Sequence, residues 1–157
     1  MPIPQVGQSA PDFEILTDSG TTVKLSDFRG QRVILYFYPK SDTPGCTKQA
    51  CAFRNDYSAY QQKNAVILGA SPDTVEEQAV FKAKYNLPFT LLADNDHQIA
   101  EQYGIWGHHR ITTKSGNEIE FTGIHRSTFI IDEAGKISHL FEGVDPANNS
   151  QEMLALL

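Results

Sequence analysis

Apolar positions along the chain alternate between short unbroken runs and helically spaced stretches. Val33 to Tyr38 is a continuous run rich in β-branched and aromatic residues, the pattern of a strand buried on both faces. Val66 to Ala70 repeats that pattern, and Phe89 to Leu92 is a shorter version of it. Between these runs lie stretches with helix signals. One helix is expected from about Pro44 to Tyr60. A second follows Thr74-x-x-Glu77, a capping-box pattern, and runs to about Tyr85. A third is expected from His97 to Tyr103, capped by Asp96 and stopped at Gly104. Phe13 to Leu16 and Thr22 to Leu25 flank Asp18-Ser19-Gly20 and read as an N-terminal β-hairpin. Ser26 to Gly30 reads as a short helical turn. Ser127 to Ile131 and Lys136 to Phe141 form a second hairpin around Asp132 to Gly135, and a last helix begins after Asn149 or Ser150. Strands alternating with helices and ending in a hairpin predict an α/β fold, a mixed central sheet flanked by helices on both faces.

The length of 157 residues predicts one domain spanning 1–157. No repeat, low-complexity tract or linker-like stretch divides it. The net charge is −6, from 13 Lys+Arg against 19 Asp+Glu, which argues against nucleic acid or an anionic membrane as a partner. The first residues carry no basic or apolar leader pattern, and the longest apolar run is far short of the ~20 residues that span a bilayer. A soluble, cytoplasmic protein is therefore expected. The five histidines have no metal-ligand spacing, so no metal site is called for. The chain has only two cysteines, Cys46 and Cys51, too few for the disulfide framework of a small secreted scaffold.

Those two cysteines carry the chemical interest. The segment Tyr38-Pro39-Lys40-Ser41-Asp42-Thr43-Pro44-Gly45-Cys46 follows directly on the central strand, where α/β sheets place their sites. Thr43 followed by Pro44 is a helix start, an N-cap hydroxyl and then proline at the first helical position. Cys46 is then the third helical residue, among backbone N–H groups that lack intrahelical partners, and such a position favours a thiolate. A free thiol is only about 3% ionised at pH 7; making it mostly thiolate takes on the order of 3 kcal/mol. A helix terminus supplies ~0.3–1 kcal/mol, up to ~2. A reactive Cys46 therefore needs a cation from elsewhere in the chain. Lys48 and Arg54 point or lie too far along the same helix, which leaves Lys40 and Arg126.

Cys51 is five residues beyond Cys46. On an ideal helix that spacing means ~7.5 Å of rise, ~140° of rotation and roughly 8.6 Å between Cα atoms. A disulfide needs about 7 Å or less, so the two can bond only if the helix unwinds. A reactive thiol could serve a thiol–disulfide oxidoreductase or a redox-sensing or chaperone module, and the bland reading is an α/β domain with two inert core cysteines.

At these residues the sequence resembles the peroxiredoxins, in particular the bacterioferritin comigratory protein or peroxiredoxin Q subfamily. The pattern P-x-x-x-[TS]-x-x-C is matched by Pro39, Thr43 and Cys46, and the resolving cysteine five residues later by Cys51. The run Cys46 to Arg54, the Ser71-Pro72-Asp73 segment, Tyr85 to Asp94, and Arg126-Ser127-Thr128-Phe129-Ile130-Ile131-Asp132 match as well. The resemblance implies a thioredoxin-like fold and reduction of hydrogen peroxide and organic hydroperoxides without metal or cofactor. It implies Cys46 as the peroxidatic thiol, Cys51 as the resolving thiol, and an intramolecular disulfide between them recycled by thioredoxin or a similar dithiol. It gives Thr43, Gly45 and Arg126 to the substrate, makes Pro39 a shield for the sulfur, and chooses Arg126 over Lys40. It also implies a monomer. The chain departs from the subfamily between Gly104 and Gly123, where a lysine-rich loop is usual and a longer stretch with Glu118 and Glu120 stands.

Overall fold

The computed structural model describes residues 2–112 and 115–157. The N-terminal hairpin forms as expected, β1 (Glu14–Leu16) antiparallel to β2 (Thr22–Lys24), followed by a 3₁₀ turn over Leu25–Phe28. The main sheet is built from β3 (Arg32–Phe37), β4 (Ala65–Ser71), β5 (Thr90–Ala93), β8 (Ser127–Ile131) and β9 (Ile137–Glu142). Its spatial order is β5-β4-β3-β8-β9. The first three strands are parallel, and β8 and β9 are antiparallel additions, so the sheet is mixed.

Strand alternation sends the residues of β3 to two cores. Val33, Leu35 and Phe37 join Leu68, Leu92, Phe129 and Ile131 on one face, closed by Ile99 and Tyr103 of α4 (Gln98–Gln102) and its C-cap. Ile34, Tyr36 and Tyr38 face the other side, with Ile67, Leu91 and Ile130. That face is covered by α1 (Pro44–Asn55), α2 (Tyr57–Gln62), α3 (Val75–Tyr85) and α5 (Asn149–Leu154) through Phe53, Tyr60, Phe81 and Met153. Tyr36 stacks on Phe53 with ring centroids 4.6 Å apart. Its partner in register on β4 is Gly69, where any Cβ would lie 2.8 Å from the Tyr36 ring, so only glycine lets that ring lie flat against the sheet.

Three local expectations are corrected. The single helix from Pro44 to Tyr60 is broken at Asp56, with φ −95° and ψ 4°. The Asp56 carboxylate accepts a 2.7 Å hydrogen bond from Ser150 of α5, so the break faces a partner far away in sequence. Asp96 does not cap α4. His97 is the N-cap residue, in the left-handed region at φ 49°, and the Asp94 carboxylate receives the Ile99 and Ala100 N–H groups at 3.0 and 2.9 Å. The turn through His97 brings a carboxylate from farther back into the capping position, and burial raises that Asp94 carboxyl above its ordinary range. Finally, the divergent stretch is not a loop but an antiparallel ribbon, β6 (Trp106–Thr112) with β7 (Glu118–Ile124). Thr113 and Lys114, at its turn, lie outside the described residues.

Candidate active site

The site lies at the carboxyl end of β3, where the chain leaves the sheet and turns into α1. The connecting residues 39–43 are held from outside by α3 and its approach. Lys40 Nζ donates to Asp73 at 2.7 Å and to Glu77 at 2.6 Å, and the Ser41 N–H donates to the other Asp73 oxygen at 2.7 Å. The Asp73 side chain is fully buried. Ser71 also donates to it, and Gln78 ties Ser71 to the Tyr38 hydroxyl. Asp42 sits at φ 59°, in the left-handed region, and its carboxylate receives Lys84 Nζ at 2.8 Å and the Tyr85 hydroxyl at 2.6 Å. The Lys40 ammonium beside Glu77 holds that carboxyl far down, at about 2. Lys40 is thus committed to two carboxylates and anchors the loop rather than facing the sulfur.

Thr43 occupies the N-cap position of α1 with Pro44 behind it, as expected, and its carbonyl accepts the first helical bond, from the Thr47 N–H at 2.8 Å. Its side chain does not cap. The hydroxyl donates instead to the Lys40 carbonyl at 2.8 Å. The reason is geometric: the turn at Asp42 folds the chain so that residue 40 lies beside residue 43. Two consequences follow. The hydroxyl proton is used up, so its lone pairs are left to accept. The Gly45 and Cys46 N–H groups, in a first turn where the helix supplies no partner, keep their donating capacity.

Cys46 is 1% exposed and packs in the apolar core beneath α1, while Cys51 is half-buried; both are free thiols on the same unbroken helix. Arg126 comes to Cys46 through sheet topology. Because β8 runs antiparallel to β3, with Tyr36 opposite Thr128, the residues just before β8 stand beside the end of β3. Arg126 shares the parity of Thr128 and Ile130, the side of β8 that faces α1. Its Nη2 donates to Cys46 Sγ at 3.4 Å and its Nη1 to Gln49 Oε1 at 2.6 Å. Gly45 permits this approach: a Cβ there would meet Arg126 Nη2 at 3.3 Å and Pro146 at 3.8 Å. Gly45→Ala should therefore keep or raise thermal stability, since alanine favours helix, while displacing the guanidinium and slowing reaction of the Cys46 thiol with a thiol-directed electrophile by about 3–10-fold. A melting curve beside a stopped-flow rate checks both halves, and an unchanged rate would remove the close approach from the site.

Of the residues singled out from sequence, Gly45, Cys46 and Arg126 lie against one another, and Thr43 opens the same helical turn with its hydroxyl on the Lys40 carbonyl. Pro39 opens the loop and is exposed, and Cys51 lies about 1.4 turns up α1 on another face. Sequence reasoning missed Gln49, which is fully buried, and the carboxylate of Asp73. Gln49 left one trace, its position three residues after Cys46 on the same helical face. Asp73 left its place in the matched Ser71-Pro72-Asp73 segment just before a helix cap, with nothing to show that its carboxylate reaches back to Lys40.

The model of the AhpC/TSA family matches residues 6–140. Peroxiredoxin Bcp of Bacillus subtilis is 44% identical over 153 residues, covering 98% of this chain and 94% of that protein. Peroxiredoxin Bcp of Escherichia coli K12 is 42% identical over 150 residues, covering 96% and 93%. Among solved structures, a PrxQ variant from Xylella fastidiosa superposes with a TM-score of 0.89 at 27% identity, over 99% of this chain and 96% of that one. The bacterioferritin comigratory protein of Xanthomonas campestris, described for its alkyl peroxide reduction activity, gives a TM-score of 0.85 at 27% identity, over 97% and 96%.

Proposed function

As the chain belongs to the AhpC/TSA family and is similar over nearly its whole length to Bcp-type peroxiredoxins, we propose that its site reduces hydroperoxides at Cys46. The protein is a thiol peroxidase with a thioredoxin-like fold. One observation carries the residue assignment: a fixed guanidinium donor 3.4 Å from a buried sulfur in the first turn of a helix. The Cys46 thiolate attacks the terminal oxygen of the hydroperoxide along the O–O axis. That bond breaks, its electron pair goes to the departing oxygen, and the oxygen leaves as water or an alcohol after taking a proton. Cys46 becomes a sulfenic acid. The Gly45 and Cys46 N–H groups and Arg126 face the charge that grows on the departing oxygen, and the Thr43 lone pairs accept from the peroxide hydroxyl. Pro39 limits access of water to the sulfur.

Cys51 then attacks the sulfenic sulfur, water leaves, and an intramolecular disulfide forms. This step requires α1 to unwind, because both cysteines sit on one continuous helix with ~140° between them. A thioredoxin-type dithiol returns both thiols. No metal or organic cofactor takes part, and the acting unit is a cytoplasmic monomer. Among the described residues no helix is long and apolar enough to cross a membrane, and no cluster of three or more metal-ligating side chains occurs. Peptide mapping of peroxide-treated protein should find Cys46 joined to Cys51, with faster amide exchange over residues 44–51 than in the reduced protein. A disulfide with unchanged exchange would sink the unwinding step, and a sulfenic acid that never gives an intramolecular disulfide would sink the role of Cys51.

A further inference from the structure

Behind Arg126 lies a connected set of buried polar side chains that the peroxide reaction does not itself use. Gln49, Thr128 and Asn149 are each 0% exposed. Gln49 Nε2 donates to Asn149 Oδ1 at 2.9 Å, and Thr128 Oγ1 donates to the same oxygen at 3.0 Å. The direction of every bond is dictated from one end. A guanidinium has donors only, so Gln49 must turn its oxygen toward Arg126. Its amide nitrogen then faces Asn149, which must answer with an oxygen. That oxygen also takes the Thr128 hydroxyl proton. Reversing any one amide sets two donors against each other. Asn149 Nδ2 has no partner among the described residues. A buried N–H₂ without a partner is unfavourable, and here it is the consequence of aiming Oδ1 at Gln49.

The far end of this set is firmly based. Asn149 is the first residue of α5, and the next residue, Ser150, ties that helix to the α1–α2 break. Ser150 Oγ donates to Asp56 at 2.7 Å, and the Ser150 carbonyl accepts from the Tyr60 hydroxyl at 2.6 Å. Asn149 therefore stands in a frame fixed independently of the first turn of α1, whereas the Arg126 side chain is only half-buried.

We propose that Asn149 is a positioning residue for the peroxide reaction: held by α5 and oriented by Thr128, it fixes Gln49, and Gln49 fixes Arg126 against Cys46. This rests on Arg126 being the donor to the sulfur and the departing oxygen. The C-terminal helix, remote in sequence from the cysteines, thereby sets the geometry of the active site.

The test is a double-mutant comparison of the second-order rate of Cys46 with hydrogen peroxide, by stopped flow on the reduced protein. Asn149→Leu keeps the shape and removes the acceptor; it should slow the reaction about tenfold in the native background and not at all in an Arg126→Met background. Asn149→Asp keeps an oxygen for both donors and should stay within about threefold of native. If Asn149→Leu does not fold cooperatively, Thr128→Val provides the second arm. It removes only the orienting hydroxyl and should slow the reaction roughly threefold with Arg126 present and have no effect without it. An unchanged rate in the variant used, or an equal loss in both backgrounds, overturns the inference, because a merely structural role would act whether or not Arg126 is present. If Arg126→Met itself reacts at the native rate, the reading of Arg126 falls and this inference with it. A slow Arg126→Met beside a native-rate Asn149→Leu removes the inference alone.

Discussion

Cys46→Ser protein is expected to consume no hydroperoxide, in a single turnover or in the steady state, while melting within a few degrees of the native protein. A serine hydroxyl is not ionised near neutral pH and no general base is placed beside it, so the nucleophile is lost outright. The neighbours of the site do not rescue it. Lys40 is bound to Asp73 and Glu77, and Cys51 lies on another face of α1, away from Arg126 and the free N–H groups of the first turn. Stability should change little because serine replaces the sulfur almost isosterically, and the Arg126 donor can be accepted by the hydroxyl oxygen. Peroxide consumption in the presence of excess dithiol measures the effect. Residual turnover at the native rate would move the chemistry away from Cys46. Cys51→Ser without added dithiol should behave differently: one equivalent of peroxide is consumed at the native rate to leave Cys46 as a sulfenic acid with no intramolecular disulfide, and any further equivalent goes to its sulfinic acid.

Arg126→Met carries the second large effect. The substitution preserves an apolar stem of similar length and removes both donors, at Cys46 Sγ and at Gln49. Removing one fixed donor aimed at developing oxyanion charge typically lowers a rate by ~10²–10³. A loss of about that size is expected in the rate of Cys46 with peroxide. Reaction of the sulfenic acid with Cys51 should be affected less, because the unwinding of α1 proposed for that step would leave the guanidinium behind. Arg126→Lys should recover only part of the loss. A lysine ammonium is a single point charge on a flexible stem and cannot hold the sulfur and the Gln49 oxygen at once. Stopped-flow measurement of sulfenic acid formation separates these outcomes, and equal rates for the native and methionine proteins would exclude Arg126 from the chemistry.

The contrast between Lys40 and Arg126 explains what could be anticipated from the chain alone. Both were candidates because a thiolate at a helix start needs more help than the helix end supplies. Periodicity cannot choose between them, since it reports only neighbours within a turn or along a strand. Lys40 is the closer in sequence, yet it is drawn to Asp73, 33 residues on, whereas Arg126 crosses 80 residues to reach Cys46. The capping error at Asp96 is of the same kind on a smaller scale. A left-handed residue at His97 reverses the chain and presents Asp94, and no propensity at residue 96 reveals that. The ribbon of β6 and β7 is harder to read for another reason: among the described residues its strands pair with each other and not with the central sheet, so they lack its apolar runs and show only the weaker alternation Glu118-Ile119-Glu120-Phe121-Thr122.

Local chemistry along the chain determined the buried central strand, the helix start at Thr43-Pro44, the place of Cys46 in its first turn, and a cysteine spacing that forbids a bond while the helix is intact. These properties depend on residues within a few positions of one another, where backbone preference and side-chain alternation dominate. Tertiary structure decided the rest. It turned the Thr43 hydroxyl away from the helix to the Lys40 carbonyl, clamped the loop on Asp73, laid the start of β8 against the end of β3, and joined Arg126 to Gln49 and Gln49 to Asn149 across 77 and 100 residues. The physical reason is that a buried donor or acceptor is satisfied by whichever group the packed sheet and helices bring within 3 Å or so, and separation along the chain has no part in that choice.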